Sequence, residues 1–216
     1  EVEILKQYGS ETIKYKVNPK KIFDTLCESA WKSAEPGILF VDKLRNYNIM
    51  ELIDEYSIET TNPCGEQPLP PHGACNLSSI NVSKYVVNPF TTDAYIDWNT
   101  LGNDITPIVE EMDKVLEENA FRHALPEQIK MALTYRNIGI GIMGLADMFV
   151  KLGVKYGSAN SVEIASTLMH FIFKKSVEAS VNLAEKLGNF PGYDDKVWDS
   201  EIMKNAFDAE TLKEYK

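Results

Sequence analysis

Apolar residues recur at helical spacing through Ile22, Phe23, Leu26, Cys27 and Ala30, directly behind an Asn18-Pro19 pair suited to an N-cap and first helical turn. Glu35-Pro36-Gly37 punctuates that helix, and the apolar run Ile38 to Val41 reads as a short buried strand. Residues 54 to 81, rich in proline and without periodicity, read as irregular. Helical spacing returns at Ile105, Ile108, Val109, Met112, Val115 and Leu116, with Asp and Glu on the opposite face. Pro126 opens another helix toward Tyr135. The stretch NIGIGIMG (137 to 144) is too rich in glycine for a free-standing helix and reads as a buried strand, with LADMFVKLG helical after it. A last helix spans about Val162 to Leu187 and stops at Gly188. Helices alternating with short buried strands predict an α/β architecture with parallel pairing.

Composition narrows the partners more than the fold. At 216 residues and 44% hydrophobic content the chain can bury one sizeable core. A formal charge of −10 with scattered Lys and Arg repels a polyanion, so no nucleic-acid polymer is expected as a partner. No apolar run approaches the roughly 18 residues of a membrane span, and the first residues lack the basic and apolar regions of a signal peptide. A first residue of Glu rather than Met points to a chain cut from something longer. Three cysteines are an odd number without the density of a disulfide scaffold, which predicts a reducing, cytoplasmic setting.

Candidate chemistry concentrates in one segment. Cys27 lies on the apolar face of its helix and reads as a small core hydrophobe. Gly139, Gly141 and Gly144 match G-x-G-x-x-G, with Glu163 further on, but a dinucleotide loop needs a strand directly ahead of the glycines; close backbone packing is the better reading. Cys64, His72 and Cys75 offer three ligands of a zinc-binding module without an evident fourth, since His123 and His170 belong to other elements. The same cysteine as a protease nucleophile lacks a recognisable histidine partner. Asn62, Cys64 and Glu66 alternate along Asn62-Pro63-Cys64-Gly65-Glu66. On an extended loop they would share one face, setting a thiol between an amide and a carboxylate.

At these residues the sequence resembles the catalytic large subunit of ribonucleotide reductase. The resemblance is carried by TTNPCGEQPLPPHGACNLSSINV (60 to 82), AWKSAEPGILFVDKL (30 to 44), YRNIGIGIMGLADMFVKLGVKYGS (135 to 158) and AEKLGNFPGYD (184 to 194), in the family's order. It implies that residues 1–216 are a fragment of a ten-stranded α/β barrel, with the catalytic cysteine on a central finger loop at about 58 to 82. It further implies that Cys64 is the thiyl-radical residue taking the ribonucleotide's 3′-hydrogen. Glu66 is the general base for the 3′-hydroxyl, Asn62 binds the sugar hydroxyls, and Cys75 is one of a redox pair that ends as a disulfide. The other redox cysteine is expected ahead of residue 1 and the phosphate loop after residue 216. The radical source implied is adenosylcobalamin, or alternatively a metal-radical small subunit. The implied partners are a ribonucleotide substrate, the remaining reductase segments or chains and an external, thioredoxin-like dithiol reductant, in the service of deoxyribonucleotide biosynthesis and DNA replication. The competing readings are an assembly or regulatory fragment without catalysis, and the zinc-binding module.

Overall fold

A computed structural model describes residues 2–216, and all of their side chains except those of Lys6, Gln7 and Tyr8. The chain forms two units, residues 1–40 and 41–216. In the first, strands β1 (Val2–Tyr8) and β2 (Glu11–Val17) form an antiparallel hairpin in which Ile4 faces Tyr15, followed by helix α1 (Pro19–Ser33). Asn18 caps α1 as its sequence predicts, its side-chain oxygen accepting from the Lys20 N–H at 3.0 Å. The expected core face of α1 is not found. None of its residues is buried, Phe23 is 62% exposed and Cys27 is exposed, because a two-stranded hairpin and one helix are too little to enclose a core. The strand expected at Ile38 to Val41 is absent as well. Residues 35–40 are irregular, and Val41 begins helix α2 (Val41–Asn46).

The second unit is built around one parallel pair. Strands β3 (Thr60–Thr61) and β4 (Pro68–Leu69) form a short antiparallel hairpin, and β5 (Asn76–Asn81) follows. Residues 54 to 81 are therefore less irregular than their prolines suggest. After β5 the chain makes a 3₁₀ turn (Val82–Tyr85) and the short antiparallel pair β6 (Val86–Val87) and β7 (Tyr95–Ile96). Helices α3 (Trp98–Ala120) and α4 (Pro126–Tyr135) lead to β8 (Ile138–Met143), which pairs in parallel with β5. Helices α5 (Leu145–Leu152), α6 (Ala159–Leu187), α7 (Glu201–Ala206) and α8 (Ala209–Tyr215) complete the order. The strand in NIGIGIMG, the proline start of α4 and the glycine stop of α6 lie where the sequence places them.

Parallel pairing is confined to β5 and β8, the other three pairs are antiparallel, and among the described residues no sheet exceeds two strands. A closed barrel is thus not formed within this chain. One face of the β5–β8 pair carries Ile80, Ile138, Ile140 and Ile142, which pack with Leu101, Ile105 and Val109 of α3 and Leu168 and Ile172 of α6. A second cluster joins Met50, Ile53, Tyr56 and Ile58, ahead of the hairpin, to Tyr135, Trp198, Met203 and Phe207. Between the two clusters in sequence stands Arg136, in a left-handed conformation at the end of α4. Its guanidinium grips Asp113 of α3 through two bonds of 2.8 and 3.0 Å and also meets Glu117, so a charged fork ties α4 and the start of β8 to α3. No helix among the described residues is long and apolar enough to cross a membrane.

Leu101 is fully buried where α3 meets the strands and α6. Leu101→Ala should destabilise the second unit by about 2–5 kcal/mol, through lost transfer energy plus the cavity left behind. A urea titration checks this: the midpoint should fall while its slope stays unchanged.

Candidate active site

The candidate residues lie on and beneath the β3–β4 hairpin, which is held shut by one asparagine. Asn62 N–H donates to the Gln67 carbonyl at 3.2 Å, and the Asn62 side-chain oxygen accepts the Gln67 N–H at 3.0 Å. Inside that clamp the Gly65 N–H donates to the Asn62 carbonyl at 3.0 Å, closing a turn over Asn62, Pro63, Cys64 and Gly65. Pro63 supplies the fixed φ of the turn's second position, and Gly65, at φ 84°, takes a left-handed conformation that a side chain would strain. Here the expectation of an extended strip is corrected. Asn62, Cys64 and Glu66 do not alternate along one face, since a turn has no period of two. Asn62 is half-buried at the base, whereas Cys64 and Glu66 are exposed at the tip.

Under the hairpin lies a pocket of about 340 Å³ lined by Thr60, Thr61, Asn62, Gln67, His72 and Cys75, with Pro63, Leu69, Gly73, Ala74 and Leu77 completing its wall. Cys75 therefore shares the pocket with Asn62, while Cys64 and Glu66 are not part of its wall. Cys75 sits just ahead of β5, and its thiol donates to the Asn76 carbonyl at 3.3 Å. Burial pushes this thiol up from 9.0 to about 11, and the nearby Glu66 carboxylate adds to the push by disfavouring a second negative charge. Glu66, although exposed, is thus electrically coupled to the pocket cysteine.

Several residues that sequence reasoning passed over complete the surroundings. Tyr56 is buried, donates to the Asn137 side-chain oxygen at 3.4 Å and stacks edge-on with Tyr135 at 4.9 Å. Burial raises its phenol to about 12, and the Cys75 sulfur adds to that rise. Tyr56 lay in the stretch read as irregular, and nothing in its neighbours marks it. Gln67 had a signal, its position directly behind the Asn-x-Cys-x-Glu trio. His72, which the sequence offers as a zinc-ligand candidate, also lines the pocket, with φ 58° in the turn closed by the Gly73 N–H to the Pro70 carbonyl at 2.9 Å.

Among the described residues no group of three or more His, Cys, Asp or Glu could hold a metal ion, so Cys64, His72 and Cys75 do not make a zinc site. The glycine motif is no dinucleotide loop either. Gly139 and Gly141 lie within β8 itself and Gly144, at φ 72°, starts α5, with Glu163 on α6.

A family model described as "Ribonucleotide reductase, barrel domain" matches residues 2–214. The chain belongs to the ribonucleotide reductase barrel-domain family. It is 39% identical over 196 residues to a protein of Thermoplasma acidophilum named vitamin B12-dependent ribonucleoside-diphosphate reductase, covering 90% of this chain and 24% of that one. A protein of the same name from Mycobacterium tuberculosis is 36% identical over 81% of this chain and 24% of its own length. The chain thus spans about a quarter of the length of these relatives. In fold it is similar to the Actinobacillus ureae class Id ribonucleotide reductase alpha subunit, with a TM-score of 0.64 at 16% identity, covering 83% of this chain and 33% of that one. The reductase barrel-domain fold and the parallel β5–β8 pair within it agree with the α/β expectation.

Because its protonated form is favoured by burial and by Glu66, Cys75 should alkylate slowly at neutral pH, with a rate that keeps rising toward pH about 11. Glu66→Gln removes the like charge and should move that profile to lower pH. The shift also predicts the sign of a stability effect. The neutral thiol favours the folded state below pH about 9, and this contribution is lost as pH rises through about 11. Peptide-resolved alkylation across a pH series measures the profile for Cys75 alone.

Proposed function

We propose that this chain is the catalytic segment of a ribonucleotide reductase, converting ribonucleotides to 2′-deoxyribonucleotides by thiyl-radical chemistry when completed by the rest of the enzyme. The observation that carries the reading is the clamped Asn62–Gln67 turn, which bears the exposed Cys64 and Glu66 between residues that wall a pocket shared with Cys75. In the complete enzyme the β5–β8 pair would be two of ten barrel strands and the hairpin its central finger loop.

In this reading Cys64, as a thiyl radical, takes the 3′-hydrogen of the ribose. Sulfur–hydrogen and ribose carbon–hydrogen bonds are close enough in strength for the transfer to be reversed at the end of the cycle. Glu66 takes the 3′-hydroxyl proton as general base, which eases departure of the 2′-hydroxyl as water. Asn62 has its side-chain oxygen committed to the Gln67 N–H, so its NH₂ group is the part that can donate to a sugar hydroxyl. Cys75 and a second cysteine, contributed by another segment of the reductase, deliver two electrons and two protons to the 2′ position and end as a disulfide. A thioredoxin-like dithiol then reduces that disulfide.

The relatives' names favour adenosylcobalamin over a metal-radical subunit and a diphosphate as substrate. Adenosylcobalamin supplies an organic radical through its weak cobalt–carbon bond. A corrin far exceeds the 340 Å³ pocket, so no residue of its wall is assigned to hold the cofactor, whereas the exposed Cys64 tip is open to a radical delivered from outside. A reducing, cytoplasmic location fits cysteines that must cycle through the dithiol state. With Asn62, Cys64, Glu66 and Cys75 all present, no observation favours an assembly role without catalysis.

In the complete reductase, Cys64→Ser should abolish deoxyribonucleotide formation, because an alcohol O–H is too strong to be opened and remade in each cycle. Glu66→Gln should leave nucleotide binding intact and slow turnover by about 100- to 10,000-fold, the usual worth of a general base. Cys75→Ser should stop dithiol-dependent reduction while exchange of the 3′-hydrogen persists. Normal turnover by Cys64→Ser would overturn the assignment.

A further inference from the structure

The glycines of β8 face the site, and they differ in what a side chain there would meet. Residues alternate along the strand: Ile138, Ile140 and Ile142 pack into the core, while Gly139 and Gly141 lie on the opposite face, paired in register with Leu77 and Ser79. A Cβ built on Gly141 would make ordinary contacts, 3.5 Å from Ser79 Oγ and 3.6 Å from the Ser78 carbonyl. At Gly139 it would lie 2.7 Å from Gln67 Nε2, 3.2 Å from Gln67 Cδ and 2.5 Å from Leu77 Cδ2. The first and last are shorter than nonbonded atoms tolerate.

Leu77 is 53% exposed and its branch can turn aside. Gln67 Nε2 is likewise the far end of a flexible side chain, but that side chain leaves a backbone whose N–H and carbonyl are both bonded to Asn62. That same pair of bonds forms the base of the turn carrying Cys64. A crowded Gln67 side chain therefore has two ways to yield, by turning aside or by pressing on the turn, and the second reaches Cys64 through one short connection.

We propose that Gly139 is the seat of the Cys64 loop: the Gln67 side chain rests against its bare Cα, and this contact sets the height and tilt of the Asn62–Gly65 turn over the pocket. Gly139 and Gln67 are positioning residues here, since the role assigned to them acts through the turn that carries Cys64. The consequence for turnover rests on Cys64 being the radical residue, whereas the contact itself does not. Hydrogen transfer between sulfur and carbon demands close approach, and a misplacement of about 1 Å can cost on the order of 100-fold in rate. A seat without a side chain is a way to hold that distance from the barrel wall, on an ordered strand rather than on the loop's own few bonds.

The test uses the complete reductase and two readouts, peptide-resolved alkylation of Cys64 relative to Cys75, and kcat with KM. Gly139→Ala should change the Cys64 alkylation rate several-fold and lower kcat by on the order of 100-fold, with KM moving by less than roughly threefold. Gly141→Ala, two residues along the same face, should change neither. Adding Gln67→Ala to Gly139→Ala should return both readouts to those of Gln67→Ala alone, whereas adding Leu77→Ala should not rescue. Gln67→Ala adds no atoms and so serves if Gly139→Ala fails to fold; it should itself shift Cys64 alkylation, and an unchanged rate overturns the proposal. Equal damage from Gly141→Ala, or rescue by Leu77→Ala and not by Gln67→Ala, also overturns it, as does a loss of kcat with Cys64 alkylation unmoved. If alkylation responds as expected and kcat does not, the seat stands and the radical assignment of Cys64 fails instead.

Discussion

Between Asn76–Asn81 and Ile138–Met143 the backbone pairs in parallel over six residues of each strand, and parallel strands persist only where both faces are provided for. The two faces are provided for in opposite ways. Ile80, Ile138, Ile140 and Ile142 bury one of them under α3 and α6. The other carries Leu77, Gly139, Ser79 and Gly141, with Asn81 and Met143 at its end, and the two glycines put no side chain into the space above. That vacancy is what admits the hairpin and leaves a pocket below it. A bulkier residue facing the hairpin would close the site without touching the core, and a smaller one facing the helices would loosen the core without touching the site.

This division explains why the charged fork of Arg136 sits where it does. Tyr135 belongs to one apolar cluster and Ile138 packs against the other, so the two residues between them, Arg136 and Asn137, decide how β8 enters. Arg136 leaves the helix in a left-handed turn and fastens to Asp113 and Glu117, while Asn137 accepts from Tyr56 behind the pocket. Ion pairs on open surfaces contribute little. This one is about four-fifths covered on both the Arg136 and Asp113 side chains, and its two-pronged geometry fixes direction as well as distance. Through it the strand that bears Gly139 is aligned with α3 before any contact with the hairpin is made.

The long-range periodicity of α3 and α6, the proline at the start of α4 and the isoleucines of β8 were all readable, because each reports burial inside the second unit. The same rule misled at Cys27 and at Ile38 to Val41. Apolar spacing predicts that a face will be covered but not by what, and within residues 1–40 there is not enough structure to cover it. The site was legible in identity and not in shape. Asn62, Cys64, Glu66 and Cys75 stand out by residue type, yet their alternation suggested a strip where Pro63 and Gly65 build a turn. Asn62 shows why: its side chain bonds a backbone five residues away, a contact that no periodicity encodes. Tyr56 and Asn137 were unreadable for the same reason, since each matters through a partner distant in sequence.

The coupling of Glu66 to Cys75 adds an ordering to the proposed chemistry. With Glu66 ionised, its charge joins burial in keeping the Cys75 thiol protonated, which protects a pocket cysteine from adventitious oxidation and alkylation while the site waits. In the proposed chemistry Glu66 would lose its charge on accepting the 3′-hydroxyl proton, and that part of the push on Cys75 would go with it. The thiol would then be easier to ionise at the stage when the 2′-hydroxyl must leave and a proton must be found for it. Burial remains the larger cause and limits how far this can go. Even so, in the proposed chemistry one carboxylate at the tip of a turn would serve both as base for the substrate and as a restraint on the reductant, being within electrostatic reach of the pocket cysteine.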